Sequence, residues 1–474
     1  PPDGFEPPSG PGGPSRTFDP AELSTPCGYV LGGPGDAEHH NLSVVHDGYL
    51  VHPWAPEWGG GGISFLAFDD PCAPVVVGQG WSDRMRETHT LAFGSAGDRE
   101  YLAVDALDPD EPAVGGVGIW DVTDRTAPTW VAEVDTPNFY YPDSYLRVTF
   151  SSFWQGNTLY VSAAFNGIHV IDVSDPTNPV LVNTVTFSPP HLVGAFTVIG
   201  DLGIATSAGT SHVVLLDTSD PWNPVALPGG QFDTQSFAAD AAGDAELYYF
   251  ASIGGRYGLF ARKDRGGGPI VYDLADPSHP TFVSEVFTEG GDGGYVYRQG
   301  THLFQGDSNF GSVYDFTDPA APVELVRVDV QGDLDTISPI GNVMIVSVDE
   351  DAVPGQASSV IPWQEAPDTD PPAVEWFRPA DDARVVPVTA RIGASFDEWI
   401  ESASVFEGSF RVTDADGWPI AGTFDVQENI VNFTPTEPLP SDAAVRVTVP
   451  AGGITDLSGN PTAAEASWTF TTSP

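Results

Sequence analysis

Positive charge is almost missing from this 474-residue chain, which has 17 lysine and arginine residues against 66 aspartate and glutamate residues and a formal net charge of −49. Lys263 is its one lysine. A surface this acidic repels nucleic acid and anionic lipid, and the sequence has no basic stripe to offset it. We therefore expect no nucleic-acid partner. The acidic side chains favour solubility in salty water or the recruitment of divalent cations.

Long hydrophobic runs and cysteines are also scarce. The sequence has no window of about 18 apolar residues, so no membrane-spanning helix is expected. It has no initiator methionine and opens on PPDGFEPPSGPGGPSR, which predicts an exported chain whose signal has been removed. Export favours a disulfide between Cys27 and Cys72, with two free thiols as the alternative.

Familiar catalytic motifs are missing. The sequence has no G-x-S-x-G, H-E-x-x-H, P-loop or strand–helix G-x-G-x-x-G pattern. Two cysteines without a C-x-x-C pair argue against a thiolate zinc site. We therefore expect a binding or structural role more than an enzymatic one.

One short turn motif recurs along the first three quarters of the chain. Its copies follow the template D-x-x-D-P-x-x-P at a period typical of a four-stranded propeller blade. They are DVTDRTAP (121–128), DVSDPTNP (172–179), DTSDPWNP (217–224), DLADPSHP (273–280), DFTDPAAP (315–322) and the partial copy AFDDPCAP (67–74).

The aspartates of this motif have a structural explanation. The second aspartate of each copy can accept a backbone N–H two residues further on, and the prolines fix the turn and begin an outer strand. We therefore interpret them as turn-forming, with calcium ligation as the alternative. They are Asp124, Asp175, Asp220, Asp276 and Asp318.

The segments around each turn read as apolar strands, so the sequence predicts an all-β fold with a β-propeller of seven, or else six, blades. The degenerate last blade lacks an outer strand of its own, which the segment around Cys27-Gly-Tyr-Val-Leu can supply. This closure removes free sheet edges and places Cys27 and Cys72 near the same outer rim.

With these residues, the repeat resembles the LVIVD repeat of exported bacterial and archaeal proteins, over roughly residues 36–366. The resemblance implies a β-propeller and an extracellular or envelope location. It implies little about activity, because that family has no general catalytic assignment.

Composition changes at a Pro/Asp-rich linker, EAPDTDPPAV. The segments ASFDEWI, FTPTEPLP, TDLSGN and WTFTT then resemble the bacterial Ig-like domain of surface-layer and other envelope proteins, a type that usually acts as a spacer or assembly module. We expect Asp456 and Asn460 to shape the TDLSGN turn, with cation ligation as the alternative. The predicted organisation is a tail (1–20), a propeller (21–366), a linker (367–373) and an immunoglobulin-like β-sandwich (374–474).

Superposing the blades on their turns places a polar residue at the start of several inner strands. Because inner strands line the central channel, these side chains are expected to converge at one mouth, where His40, His89 and His191 are candidate metal ligands. The alternative is a wet channel mouth without a ligand. The same superposition selects Arg147, Gln235 and Asp335.

A second candidate surface is aromatic. The stretches HPWAPEWGGGG (52–62) and NFYYPDSY (138–145) place rings in Pro/Gly-rich loops. Exposed rings suit sugars or partner proteins, whereas packing on their own loops is the alternative. The candidates are Trp54, Trp58, Phe139, Tyr140, Tyr141 and Tyr145.

These observations favour a non-enzymatic exported bacterial surface protein acting in surface structure, adhesion or self-assembly as a filament, sheath or layer subunit. The first alternative is a binding module whose propeller face captures a glycan or protein. The second is a metal-dependent enzyme with histidine ligands. The sequence identifies no cofactor with certainty, and Ca²⁺ or a transition metal are the candidates. The Pro/Gly-rich tail predicts a flexible tether, with docking on the propeller or on a neighbouring subunit as the alternative.

Overall fold

The computed structural model describes residues 15–27, 30–31, 42–142, 145–238, 248–263, 266–353 and 357–474. Within these ranges the chain is all-β, and its one helical element is a single 3₁₀ turn at Ser402–Ser404. The strands are numbered in chain order from β1 (Val30–Leu31).

Five four-stranded antiparallel sheets follow β1 in sequence. The first two are Val44–His46, Tyr49–Trp54, Gly61–Ala67 and Val75–Ser82 (β2–β5), and Ala92–Ala96, Arg99–Leu107, Gly115–Asp121 and Thr129–Asp135 (β6–β9). The next three are Ser151–Gln155, Thr158–Ser162, Ile168–Asp172 and Val180–Val185 (β10–β13), Val193–Ile199, Leu202–Ser207, His212–Asp217 and Val225–Asp233 (β14–β17), and Tyr248–Gly254, Tyr257–Arg262, Pro269–Asp273 and Thr281–Glu285 (β18–β21).

A seven-stranded sheet completes this part of the chain. Its strands in sequence are Val296–Gln299, His302–Gly306, Ser308–Asp315, Val323–Ile340, Val343–Glu350 and Ser358–Pro362 (β22–β27), and β1 pairs with β27 at its edge. The long strand β25 serves both halves, because its first part pairs with β24 and its last part pairs with β26.

The sheets are arranged as blades around a central axis. The first strand of each sheet contacts the first strand of the next, from β6 through β10, β14 and β18 to β22, and β22 in turn contacts β25. This is the arrangement of a β-propeller, with the inner strands lining the channel.

The predicted ring closure is confirmed. Val30 and Leu31 pair with Ser359 and Ser358 of β27, and Cys27 donates its backbone N–H to Val360 O (2.8 Å). The predicted disulfide is confirmed too: Cys27 is bonded to Cys72, in the turn between β4 and β5, with a Cα–Cα distance of 4.7 Å. The N-terminal segment is therefore tied both to the last blade and to the first.

The end of the predicted tail is docked rather than free. Phe18 is buried in the same hydrophobic core as Leu31, and its N–H donates to Glu365 O (2.9 Å). The docking alternative is therefore correct for residues 15–20, whereas residues 1–14 lie outside the described residues.

The aspartates of the repeated motif form the predicted turns. Each accepts the backbone N–H two residues further along the chain, at 2.9–3.1 Å. The acceptors are Asp124, Asp175, Asp220, Asp276 and Asp318. Their carboxylates cap the turns, as expected of Asx-turns.

The C-terminal strands form a two-sheet sandwich around their own core, which includes Phe433, Val447 and Trp468. One sheet has the order β28-β29-β32-β31 and the other β30-β33-β34. The strands are Val374–Arg378, Ile392–Phe396, Arg411–Thr413, Gly422–Gln427, Ile430–Pro435, Ala444–Val449 and Ala466–Thr471 (β28–β34).

This sandwich covers one face of the propeller. The tight turns between the first and second strands of five blades each carry a glycine at positive φ, whose N–H donates to the sandwich at 2.6–3.1 Å. The donor and acceptor pairs are Gly48 with Glu401, Gly156 with Asp425, Gly200 with Asn432, Gly255 with Phe396 O and Gly300 with Asp397 O.

Buried side chains extend this contact. Arg391 donates to Gln155 O (2.6 Å), Asn157 Oδ1 (2.7 Å) and Thr158 Oγ1 (2.8 Å) of the third blade. Asn432 donates to Val198 O (2.9 Å) in the fourth. These bonds restrict the orientation of the sandwich on the propeller, because shifting it would leave buried polar groups without hydrogen-bond partners.

The turn between β31 and β32 closes the channel at this face. Residues 427–430 and the inner strands, among them Ser151, Thr197 and Tyr297, enclose a cavity of about 40 Å³. Burial raises the pKa of Glu428, at the tip of this turn, to about 7. The channel is therefore plugged at the sandwich end.

Removing the disulfide tests the closure. Because the bond closes a loop with a sequence separation of 45, replacing both cysteines (Cys27→Ser with Cys72→Ser) is expected to lower the free energy of unfolding by about 2–4 kcal/mol. Urea denaturation measures it, and reduced wild-type protein is the control that should match the double variant. An unchanged unfolding midpoint contradicts the prediction.

Candidate functional site

The open face of the propeller lies opposite the sandwich. In an antiparallel meander, alternate connections leave the sheet at opposite ends. The turns between first and second strands contact the sandwich, so the links between blades and the loops between second and third strands reach the other face. The connections on this open face include the loop between β3 and β4 (55–60), the link between β5 and β6 (83–91) and the link between β9 and β10 (136–142 and 145–150).

Five ionisable side chains from different blades interact electrostatically at the centre of this face. We call them the mouth cluster. They are Glu87, His89, Lys263, Asp335 and Asp349. His89 Nε2 lies 3.0 Å from Glu87 Oε1, and both side chains are buried. Lys263 and Asp349 are partly exposed, and Lys263 Nζ lies 3.9 Å from Asp292 Oδ1.

Burial and mutual repulsion shift the protonation of the mouth cluster. Burial raises the pKa of Asp335 to about 6 although the positive charge of Lys263 opposes this shift, and burial also raises the pKa of Asp349. Burial lowers the pKa of Lys263, but the carboxylates around it, Asp335 foremost, outweigh this and raise it above its usual value. The lysine therefore stays charged and compensates part of the negative charge of the mouth.

An aromatic column continues from the mouth cluster to the sandwich. The ring of His89 stacks on Phe250 (centroids 4.7 Å apart), and Phe250 stacks on Tyr295 (4.9 Å). Tyr297 follows at 5.9 Å and meets Trp399 of the sandwich edge-on at 5.0 Å. Since these rings occupy the channel, a ligand is restricted to the mouth and cannot pass through.

Aromatic and acidic groups also form the rim of the mouth. Tyr141 donates its hydroxyl to Glu57 Oε2 (2.8 Å), and Tyr145 bonds the other oxygen of the same carboxylate. Tyr140 is 37% exposed and lies under the guanidinium of Arg147, and Trp58 is 60% exposed. These rings and carboxylates belong to one surface.

The structure corrects part of the predicted aromatic set. Trp54 and Phe139 are buried: Trp54 ends β3 and donates its indole N–H to Ser64 Oγ (3.0 Å), and Phe139 belongs to the core. The sequence predicts loops for both: strand β3 in fact runs to Trp54, whereas Phe139 does lie in the connection after β9 but packs its ring into the core. Trp58, Tyr140, Tyr141 and Tyr145 remain candidates.

The predicted histidine ligands have separate surroundings. His89 belongs to the mouth cluster, whereas His191 packs edge-on against Phe187 and His212, each with centroids 5.3 Å away. Burial lowers the pKa of His191 to about 4, so this imidazole is neutral. His40 lies outside the described residues, and the three-histidine metal site therefore stays a prediction.

Superposing the blades on their turns selects His89 and Asp335, and the structure brings both into one cluster. The superposition misses Glu87, Lys263 and Asp349. Two signals were available: Lys263 is the one lysine of the sequence, and Glu87 precedes His89 by two residues.

With the geometry in view, two family matches can be placed. Residues 368–472 match the bacterial Ig-like domain, and residues 154–186 match the LVIVD repeat. The chain thus combines a β-propeller that contains an LVIVD repeat with a C-terminal bacterial Ig-like domain, as the sequence motifs predicted. No curated protein matches the chain.

Several solved structures are similar at low identity. Pseudomonas aeruginosa periplasmic gluconolactonase, PpgL, gives a TM-score of 0.49 at 12% identity over 67% of this chain and 86% of its own. The β-propeller domain of Myceliophteria thermophila Cps50 (Swd1) gives 0.48 at 10% identity, over 68% and 95%. A protein from Lactobacillus plantarum gives 0.47 at 13% identity, over 63% and 94%.

The Ig-like domain and the disulfide are consistent with an extracellular or surface protein. In the part of the chain that the structure describes, no helix is long and apolar enough to cross a membrane.

The role of Lys263 can be tested by its pH dependence. The pKa of Asp335 is higher in the folded than in the unfolded chain, so folding loses stability as pH rises through about 6 and Asp335 ionises. Lys263 offsets this loss. We expect Lys263→Met to lower the free energy of unfolding by about 1 kcal/mol at pH 8 and by less at pH 5.

Urea denaturation at both pH values measures this difference, and Lys263→Arg, which keeps the charge, is the matched control. Equal losses for Lys263→Met at pH 5 and pH 8 contradict the assignment.

Proposed function

We propose that this chain is an exported bacterial surface protein that acts in adhesion by binding a glycan at the open face of its propeller. The carrying observation is the position of the Ig-like domain. It covers the opposite face and plugs the channel there, so the mouth cluster and the exposed rings face outward together. A domain bound in this way can present the open face away from the rest of the assembly.

The chemistry of the mouth suits a sugar. Flat rings such as Trp58 and Tyr140 bury the apolar face of a pyranose at low entropic cost. The Glu57 carboxylate at the rim can accept a hydrogen bond from a sugar hydroxyl, and the partly exposed Lys263 ammonium can donate one. Binding of a protein through the same rings is the other outcome of the tests below.

We also propose a seven-bladed ring. The seven-stranded sheet is interpreted as two blades that share β25, with β1 as the outer strand of the last one. This count is supported by the pairing of the two parts of β25 with different strands. A ring closed by both ends of the chain gives the mouth a fixed shape.

Substitution of the exposed rings tests the glycan-binding face. Trp58→Ala and Tyr140→Ala are each expected to weaken glycan binding about tenfold, or 1.4 kcal/mol, because each removes an exposed stacking surface without opening the core. A glycan array identifies the sugar, and calorimetry with that sugar measures the change.

Trp418→Ala is the matched control, since Trp418 is 71% exposed in the Ig-like domain, away from the mouth. A bound sugar should also slow acylation of Lys263, the one lysine of the chain. No signal on the array, or equal effects of all three variants, contradicts the proposal.

Self-association is a second candidate function, favoured by one edge of the propeller. Strand β5 is the outer strand of the first blade, and it exposes Val75, Val76 and Trp81, the last by 63%. An exposed apolar edge strand is a template for pairing with another chain. Such an edge suits a subunit of a layer or filament.

Light scattering at native salt tests this candidate. The wild-type chain is expected to form oligomers, and Trp81→Lys is expected to be monomeric because a charge at the edge opposes pairing. Trp418→Lys, at a similarly exposed ring elsewhere, should still associate. A monomeric wild type contradicts self-association through this edge.

A further inference from the structure

Three carboxylates meet where the propeller, the linker and the Ig-like domain join. They are Asp368 of the segment before β28, Glu398 of the loop after β29, and Asp456 of the TDLSGN turn. One oxygen of each lies within 4.8 Å of the others, and all three residues are buried. Among the residues that the structure describes, this is the group of histidine, cysteine or acidic side chains placed to share an ion.

Glu398 has a buried carboxylate oxygen that no hydrogen bond from the described residues satisfies. It is only 2% exposed, and within the described parts of the chain its buried Oε1 has no hydrogen-bond partner. A buried, unpaired carboxylate oxygen costs free energy unless a ligand satisfies it. This orphaned oxygen is an observation separate from the clustering itself.

The other two carboxylates are held in place by neighbours. Ser458 donates its hydroxyl to Asp368 Oδ2 (3.1 Å). Asn460 donates its N–H to Asp456 Oδ1 and its side-chain amide to Asp456 Oδ2, both at 2.8 Å. The TDLSGN turn therefore fixes two of the three acids around a common point.

The charge around this point is negative. Burial raises the pKa of Glu398, and nearby carboxylates raise it further. They belong to Asp456, Asp397, Asp368 and Asp370. Burial, aided by Asp368, raises the pKa of Asp456 to about 7. Gathering buried acids is unfavourable without a compensating positive charge.

We propose that Asp368, Glu398 and Asp456 bind one Ca²⁺ ion. All three candidate ligands are carboxylate oxygens, which hard cations prefer over softer metals. Ca²⁺ fits better than Mg²⁺, because it accepts irregular oxygen sets, whereas Mg²⁺ demands near-ideal octahedral geometry. The ligands come from three separate segments, so an irregular set is expected here.

The position of the site gives the ion a structural role. Asp368 belongs to the connection between the domains, and its N–H donates to Ser15 Oγ (3.3 Å). Ser15 Oγ lies 2.7 Å from Ser458 Oγ. An ion here joins the linker and the Ig-like domain beside the docked N-terminal segment, and so fixes the Ig-like domain on the propeller face.

Calorimetry of the full chain, stripped of metal with a chelator, tests the site directly. We expect one equivalent of Ca²⁺ with a dissociation constant on the order of 10⁻⁴–10⁻³ M, as in extracellular modules, and weaker binding of Mg²⁺. Glu398→Gln and Asp456→Asn should lose this equivalent. Glu437→Gln, at an exposed carboxylate of the same domain, should retain it.

Thermal melting separates loss of the site from loss of the fold. Ca²⁺ should raise the melting temperature of the wild type and of Glu437→Gln. Metal-free Glu398→Gln should melt at or above the metal-free wild type, because the crowding of buried acids is relieved, and should not respond to Ca²⁺. A variant that merely misfolds would melt below the wild type.

Terbium supplies a local readout, because it replaces Ca²⁺ in oxygen sites and is excited by a nearby indole. Trp399 adjoins Glu398, so Tb³⁺ emission should appear in the wild type, fall on addition of Ca²⁺ and be absent in Glu398→Gln. Trp399→Phe should weaken the emission while calorimetry still shows one Ca²⁺. No saturable Ca²⁺ binding by the wild type, or unchanged binding by Glu398→Gln, would overturn the proposal.

Discussion

The contact between the turn glycines and the Ig-like domain is the constraint on which the rest of this structure depends. Five first turns of the blades donate a backbone N–H to the sandwich, and positive φ at the glycines turns those donors outward. Each such bond is modest, but leaving several buried donors unpaired at once is costly. The sandwich is therefore a lid of fixed position more than a tethered second domain.

The chemistry of the open face follows from this lid. The turn at residues 427–430 and the aromatic column close the channel from within, and acidic side chains meet at the remaining mouth. There Lys263 offsets part of their charge. The same docking places Asp368, Glu398 and Asp456 at the seam between the domains, where an ion would reinforce the lid.

Features set by the repeat were predictable from the sequence, whereas contacts that depend on the curvature of the ring or on the folded sandwich were not. The Asx-turns of Asp124 and its equivalents depend on residues two positions apart, so the repeated motif is enough to predict them. Closure and the Cys27–Cys72 bond follow from counting strands. By contrast, Glu87 and Asp349 meet only through the curvature of the ring, and Glu398 reaches Asp456 only in the folded sandwich. Trp54 was misplaced because strand β3 extends into the Pro-rich stretch.

Hydrogen exchange at the turn glycines tests the central claim, that the Ig-like domain is a fixed lid on one propeller face. In the full chain, the amides of Gly48, Gly156, Gly200, Gly255 and Gly300 should exchange at least about a hundredfold more slowly than an unstructured amide. Gly97 is the internal reference, because it occupies the corresponding turn of the second blade with open space around it. Slow exchange at the five and fast exchange at Gly97 agrees with the account, whereas fast exchange at all six contradicts it.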